Sequence, residues 1–114
     1  MGSSVVEEKS KVAKGYVILT EAIHDDEAMG AYGAASMQPM IDHGGRPIVV
    51  DGDVEVVEGS WHGTRTVVVE FPSVEAAREW YRSDAYQSVI PMRQAAAACN
   101  VVIVAGFDMG AARA

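Results

Sequence analysis

One cysteine in 114 residues, Cys99, rules out an internal disulfide and any metal or iron–sulfur centre built on several thiolates. Basic residues are scarce as well, nine Lys and Arg against sixteen Asp and Glu, for a formal net charge of −7. A field of that sign repels phosphate backbones and anionic head groups, so no nucleic-acid or membrane partner is expected. No apolar run approaches the roughly 20 residues of a bilayer span, and the first residues lack the apolar centre of a secretory signal. A cytoplasmic location is the expectation. The glycines are scattered, without a phosphate-cradling pattern between a strand and a helix, and no two histidines stand at the close spacing of a helix or hairpin metal site. Neither a metal nor a cofactor is therefore expected, which leaves cofactor-independent chemistry or plain ligand binding.

What is present suits one globular domain: 49% apolar and 22% charged residues, in a length that holds a single core. Residues 1–13 are polar and of mixed charge and read as a flexible N-terminal extension; 14–107 form the domain, and 108–114 a short tail. A β-branched run over 16–20 predicts a strand buried on both faces. His24-Asp25-Asp26-Glu27 opens a helix, because carboxylates cap free amides and favour the positive end of its dipole. That helix closes at His43-Gly44-Gly45, with Pro39 bending or ending its last turn. Residues 47–51 read as a second strand, and 54–58 resume extended structure after a turn. In the run 64–71, Arg65, Val67, Val69 and Phe71 fall on one face of a strand and Thr64, Thr66, Val68 and Glu70 on the other. Ser73 caps a second helix with Trp80 and Tyr81 on its apolar stripe, and Ser83-Asp84 caps again. Residues 85–98 continue as helix with a kink or fresh start at Pro91, Cys99 stands at its end, Asn100 ends it, and 101–107 form the last strand.

The order βαββαβ is that of an α+β, ferredoxin-like antiparallel sheet carrying two helices on one face. Strands as apolar as these leave the uncovered face hydrophobic, so sheet-to-sheet dimerisation into a barrel is expected, with further assembly of dimers left open. Lys14-Gly15-Tyr16-Val17-Ile18, Asp25 with Tyr32 seven residues on, Gly44-Gly45-Arg46, Glu58-Gly59, the Arg65 to Phe71 strand, Trp80-Tyr81-Arg82-Ser83, Tyr86-Gln87 and Pro91-Met92-Arg93 form an ordered set. Taken together they resemble the DUF1330 family of the dimeric α+β barrel superfamily. The resemblance implies that fold and a homodimer. The superfamily's other members include cofactor-free monooxygenases, muconolactone-type isomerases, cyclases and heme-handling enzymes, and fold alone does not choose among them.

The candidate site residues follow from side-chain chemistry. Arg65 and Glu70 place charge near the two ends of a buried strand, and buried charge needs a partner. Arg93 brings a cation to the second helical segment. Tyr16, Tyr32, Trp80, Tyr81 and Tyr86 can line an aromatic cavity or fill the core. Of the three histidines, His24 and His43 sit at helix ends, while His62 follows Trp61 in a loop leading to Arg65 and best suits proton transfer. The resulting expectation is a homodimeric, cofactor-independent enzyme acting on a polar or aromatic small organic molecule by isomerisation, cyclisation or condensation. His62, Arg65 and Glu70 would be catalytic, and Tyr16, Tyr32, Trp80 and Arg93 would bind substrate. Two alternatives stand beside it: a non-catalytic small-molecule-binding or accessory homodimer, and a heme-handling or cofactor-free monooxygenase-like protein.

Overall fold

The computed structural model describes residues 13–108. The N-terminal extension, save Ala13, and the C-terminal tail, save Asp108, lie outside the described residues. The elements run β1 (Gly15–Ile23), α1 (Asp26–Asp42), β2 (Arg46–Asp51), β3 (Arg65–Phe71), α2 (Val74–Arg82), α3 (Asp84–Gln87), α4 (Ile90–Ala96) and β4 (Ala97–Ala105). The four strands pair antiparallel in the order β2-β3-β1-β4, the α+β, ferredoxin-like arrangement expected from the sequence.

Burial decides the faces. Along β1, Val17, Leu19 and Glu21 are buried, whereas Tyr16, Ile18 and Thr20 between them are only half-buried. The expected burial on both faces is thus corrected within one chain: the helices cover the first set and leave the second open. Register carries this division across the sheet, since directly opposed residues share a face. Leu19 lies between Val67 and Val101, on the helix side. Ile18 lies between Val68 and Val102, on the open side.

Capping explains the helix starts. The Asp25 carboxylate accepts from the Ala28 amide at 3.0 Å, and the Ser73 hydroxyl from that of Ala76 at 3.0 Å. Pro39 neither ends nor interrupts α1; it is buried inside the helix, which runs on to Asp42. The chain then turns through Gly44 at φ +79°, a left-handed conformation that favours glycine.

Three sequence expectations are corrected. Residues 54–58 form no strand but belong to the irregular connection 52–64 between β2 and β3. The helix expected over 85–98 is two short helices, α3 and α4, and it stops at Ala96. Ala97 to Asn100 are strand, so Cys99 and Asn100 sit within β4 rather than at a helix end. Alanine favours helix locally, but here β1 extends to Ile23 and offers it ladder partners, Ile23 opposite Ala97 and Glu21 opposite Cys99. Pairing with a strand already in place outweighs a propensity difference of a few tenths of a kcal/mol per residue.

The core between sheet and helices is aromatic. The ring centroids of Trp80 and Tyr86 are 4.0 Å apart, and Phe71 lies 5.3 Å from Trp80. Phe71 and Tyr86 are wholly buried, and burying such a side chain contributes about 2–3 kcal/mol.

Candidate functional site

Between α1 and the β2–β3 side of the sheet, on the helix-covered face, lies a cleft of about 180 Å³. Its walls are mostly apolar, with Leu19, Val67 and Val69 from the sheet and Met37 and Met40 from α1. Glu21, Arg65, Tyr32 and Ser36 add polar groups, and Trp80 lines it from α2. Gly33, exposed on α1, also lines it; a Cβ added there would meet nothing within 4 Å.

The alternation of β1 and β3 brings Glu21 and Arg65 to this face as register partners. Glu21 is 1% exposed, and its carboxylate accepts from Arg65 Nε at 2.7 Å. A carboxylate so deeply buried requires a cation or hydrogen bonds to remain charged. The backbone at Glu21 is fixed as well, because its carbonyl accepts from the Thr64 amide at 2.7 Å. Gly63, at φ +86°, makes this approach possible: a Cβ there would stand 2.5 Å from the Glu21 carbonyl carbon.

Behind the cleft, the Tyr32 and Tyr86 hydroxyls are 2.6 Å apart. Burial first, and then Tyr86 beside it, push the Tyr32 pKa well above the usual phenol range, so the group stays protonated. Ser83 positions Tyr86: its hydroxyl donates to the Trp80 carbonyl at the end of α2 and accepts from the Tyr86 amide at the start of α3. Arg93, on α4, is 4% exposed. Burial opposes its charge, but the Tyr86 hydroxyl and the Cys99 thiol beside it favour the charge and hold its pKa above the ordinary arginine value. Burial likewise pushes the Cys99 thiol up, with the Arg93 contact opposing.

Of the residues selected from sequence, the cleft therefore gathers Arg65, Tyr32 and Trp80, with Arg93 packed behind Tyr32 and Tyr86. The open face of the sheet carries the others. His62 Nδ1 lies 2.9 Å from the Thr20 hydroxyl, and the Trp61 indole N–H donates to Thr66 at 2.8 Å, so the 52–64 connection is tied down on that face. Tyr16 donates to Glu70 at 3.0 Å, and Arg46 Nε donates to the other oxygen of Glu70 at 3.0 Å. His24 caps no cluster, its backbone amide bonding Ala96, and His43 Nδ1 lies 2.8 Å from the Pro39 carbonyl. Among the described residues no group of three or more His, Cys, Asp and Glu side chains gathers as a metal site would, and no helix is long and apolar enough to cross a membrane.

Glu70 gives a pH prediction. Its hydrogen bonds from Arg46 and then from Tyr16 hold its carboxyl below the usual range. A carboxyl depressed on folding stabilises the fold above its unfolded pKa, about 4.3, and that contribution fades as pH falls through the lower folded value. Glu70→Gln is expected to flatten the fall of Tm as pH drops below about 5 and through the lowered folded value; an unchanged slope would refute the brace.

Sequence reasoning missed Glu21, and it placed Tyr86 only among the aromatic residues that line a cavity or fill the core, not as the partner of Tyr32. A signal for Glu21 existed: extending the alternation of Val17 and Leu19 by one step places it on the core face.

Comparison with known proteins adds the following. Residues 14–107 match the family described as "Domain of unknown function (DUF1330)". A structure of a protein of unknown function from Rhodopseudomonas palustris is similar at 21% identity, TM-score 0.66, over 92% of this chain and 93% of that one. A conserved protein of unknown function from Bacteroides thetaiotaomicron, described as a possible oxidoreductase, is similar at 11% identity, TM-score 0.54, over 82% of this chain and 97% of that one. A Mycobacterium tuberculosis protein is similar at 18% identity, TM-score 0.51, over 83% and 96%. At these identities the likeness is one of fold. A search of curated proteins finds no match.

Proposed function

This chain belongs to the DUF1330 family, and from that premise we propose that it is a cofactor-independent enzyme binding one small, largely apolar organic molecule in the cleft of each protomer. The observation that carries the reading is the cleft itself, an apolar recess with the Glu21–Arg65 pair among its lining. Few polar groups in an apolar concavity orient a small ligand. In this reading Arg65 holds a carboxylate or enolate oxygen, and Glu21, once the ligand draws Arg65 toward itself, is the carboxylate that moves a proton, as isomerisation, cyclisation or condensation requires. His62 and Glu70, on the opposite face, act on no ligand in the same cleft. A second reading, binding without turnover, is favoured by one fact: Glu21 is already locked to Arg65, as a purely structural pair would be.

The homodimer belongs to the same proposal. The open face presents Ile18, Val68, Val102 and Val104 in adjoining register, with Val102 50% and Val104 40% exposed. A second copy packed sheet to sheet would cover them.

Gly33→Leu tests the cleft. Leucine at a solvent-facing helix position gains about 1 kcal/mol of propensity over glycine, so Tm is expected to hold or rise while the side chain obstructs the recess. In two-dimensional NMR, cinnamate is expected to perturb the amides of Tyr32, Met37, Arg65 and Val67 in the native protein and none of them in Gly33→Leu. Equal perturbation in both proteins would remove the cleft from consideration.

A further inference from the structure

The buried groups behind the cleft carry the reading further. The Tyr32 and Tyr86 oxygens, 2.6 Å apart, have two hydroxyl protons between them, and only one can lie in their shared hydrogen bond. Tyr86 is wholly buried, so its proton needs an acceptor inside the protein. Arg93, which lies beside it, is a donor only and offers no acceptor. Among the described residues, the acceptor in reach of the Tyr86 hydroxyl is the Tyr32 oxygen. The direction is then fixed: Tyr86 donates to Tyr32, and of the two hydroxyl protons that of Tyr32 is the one left over. Tyr32 lines the cleft, and its neighbour Ser36, one turn along α1 and also on the cleft wall, already donates its own proton to the Gly33 carbonyl.

Charge points the same way. Among the described residues, the buried charged side chains are Glu21 and Arg93, and Arg65 is half-buried against Glu21. One acid faces two bases, and among the described residues no carboxylate lies within 4.0 Å of Arg93. This region has an excess of one positive charge and, among the described residues, surplus hydrogen-bond donors, the Tyr32 hydroxyl and the buried, unpartnered Trp80 Nε1 and Arg93 Nε, the complement of a single anionic oxygen group.

We propose that the cleft takes a monoanionic organic acid or enol whose charged oxygens lie between Arg65 and the Tyr32 hydroxyl, with Tyr86 as the positioning residue that holds Tyr32 as a donor and Arg93 as the buried positive charge behind it. The proposal rests on the cleft reading above. It names the substrate class and extends the site to two residues that touch no ligand. An alcohol or amine, which must itself donate, fits this arrangement less well.

Two probes of one shape, cinnamate and cinnamyl alcohol, titrated by calorimetry, separate the possibilities. The native protein is expected to bind cinnamate at least about tenfold more tightly, since a hydrogen bond to a charged group is worth that much or more. Tyr32→Phe is expected to remove most of the preference, and Tyr86→Phe to cut it by about threefold, while affinity for the alcohol moves less than about twofold. A merely structural role for Tyr86 would weaken both probes alike and leave their ratio unchanged. Arg93→Lys, which keeps the charge, is expected to retain more of the ratio than Arg93→Met. If both probes bind and Gly33→Leu blocks both, yet the native protein shows no preference or Tyr32→Phe does not alter it, this inference is wrong and the cleft reading survives. If neither probe binds, both fall.

Discussion

Arg65→Met is expected to lower the unfolding free energy in urea by about 3 kcal/mol, because it strands a buried carboxylate. Glu21 is 1% exposed, and Arg65 Nε, 2.7 Å away, is its ion-pair partner. Removing the cation leaves Glu21 to be buried charged, to take up a proton, or to pull water into the core, and each route costs stability. The double variant Arg65→Met/Glu21→Met removes both desolvation penalties and is expected to recover most of the loss, since well-packed apolar pairs replace buried ion pairs with little or no cost. The double variant makes the result diagnostic. A loss below about 1 kcal/mol in Arg65→Met would mark the pair as no stronger than a solvated surface bridge. It would remove the physical basis for treating Glu21 as a held, usable charge.

Val102→Lys is expected to turn the proposed homodimer into a monomer. A two-fold interface repeats every substitution, so one change places two ammonium groups against the facing sheet. At about 2 kcal/mol for each poorly solvated charge, association weakens by roughly a thousandfold. Sedimentation velocity at micromolar concentration is expected to show a dimer for the native protein and a monomer for the variant. Val102 is 50% exposed in the single chain, so the protomer's own fold tolerates the lysine. A native protein that sediments as a monomer would sink the dimer, and a variant that still dimerises would move the interface elsewhere.

Much of the architecture was legible in the sequence because strand alternation is a local signal. The division of β3, with Arg65, Val67, Val69 and Phe71 on one face and Glu70 on the other, follows from a period of two and holds in the structure. The caps at Asp25 and Ser73 are equally local. The errors arose where a distant partner decides. Ala97 to Asn100 look helical until β1 supplies a ladder, and the 54–58 run looks like a strand although no neighbour pairs with it. The candidate site divides on the same principle. Tyr32, Trp80 and Arg65 can be placed near one another by face, but the placement of His62 depends on a loop whose course is set by its bond to Thr20, forty-two residues earlier. The partnership of Tyr32 with Tyr86 spans fifty-four residues, beyond any periodicity argument.

Ser83 has a bearing on how this chain can change its length. Its hydroxyl closes α2 through the Trp80 carbonyl and opens α3 through the Tyr86 amide. One inserted residue between Ser83 and Tyr86 would turn the tyrosine by about 100° around its helix, carrying its hydroxyl away from Tyr32 and its ring away from Trp80. No slack exists there to absorb the step. The 52–64 connection is the opposite case: the turn of Asp53 on Asp51 anchors it at one end, Trp61 to Thr64 at the other, and residues 55–60 between them are exposed. Insertions and deletions among relatives should therefore accumulate between residues 54 and 60 and be purged between 80 and 86, which makes length variation itself a record of which part of this chain holds the site in shape.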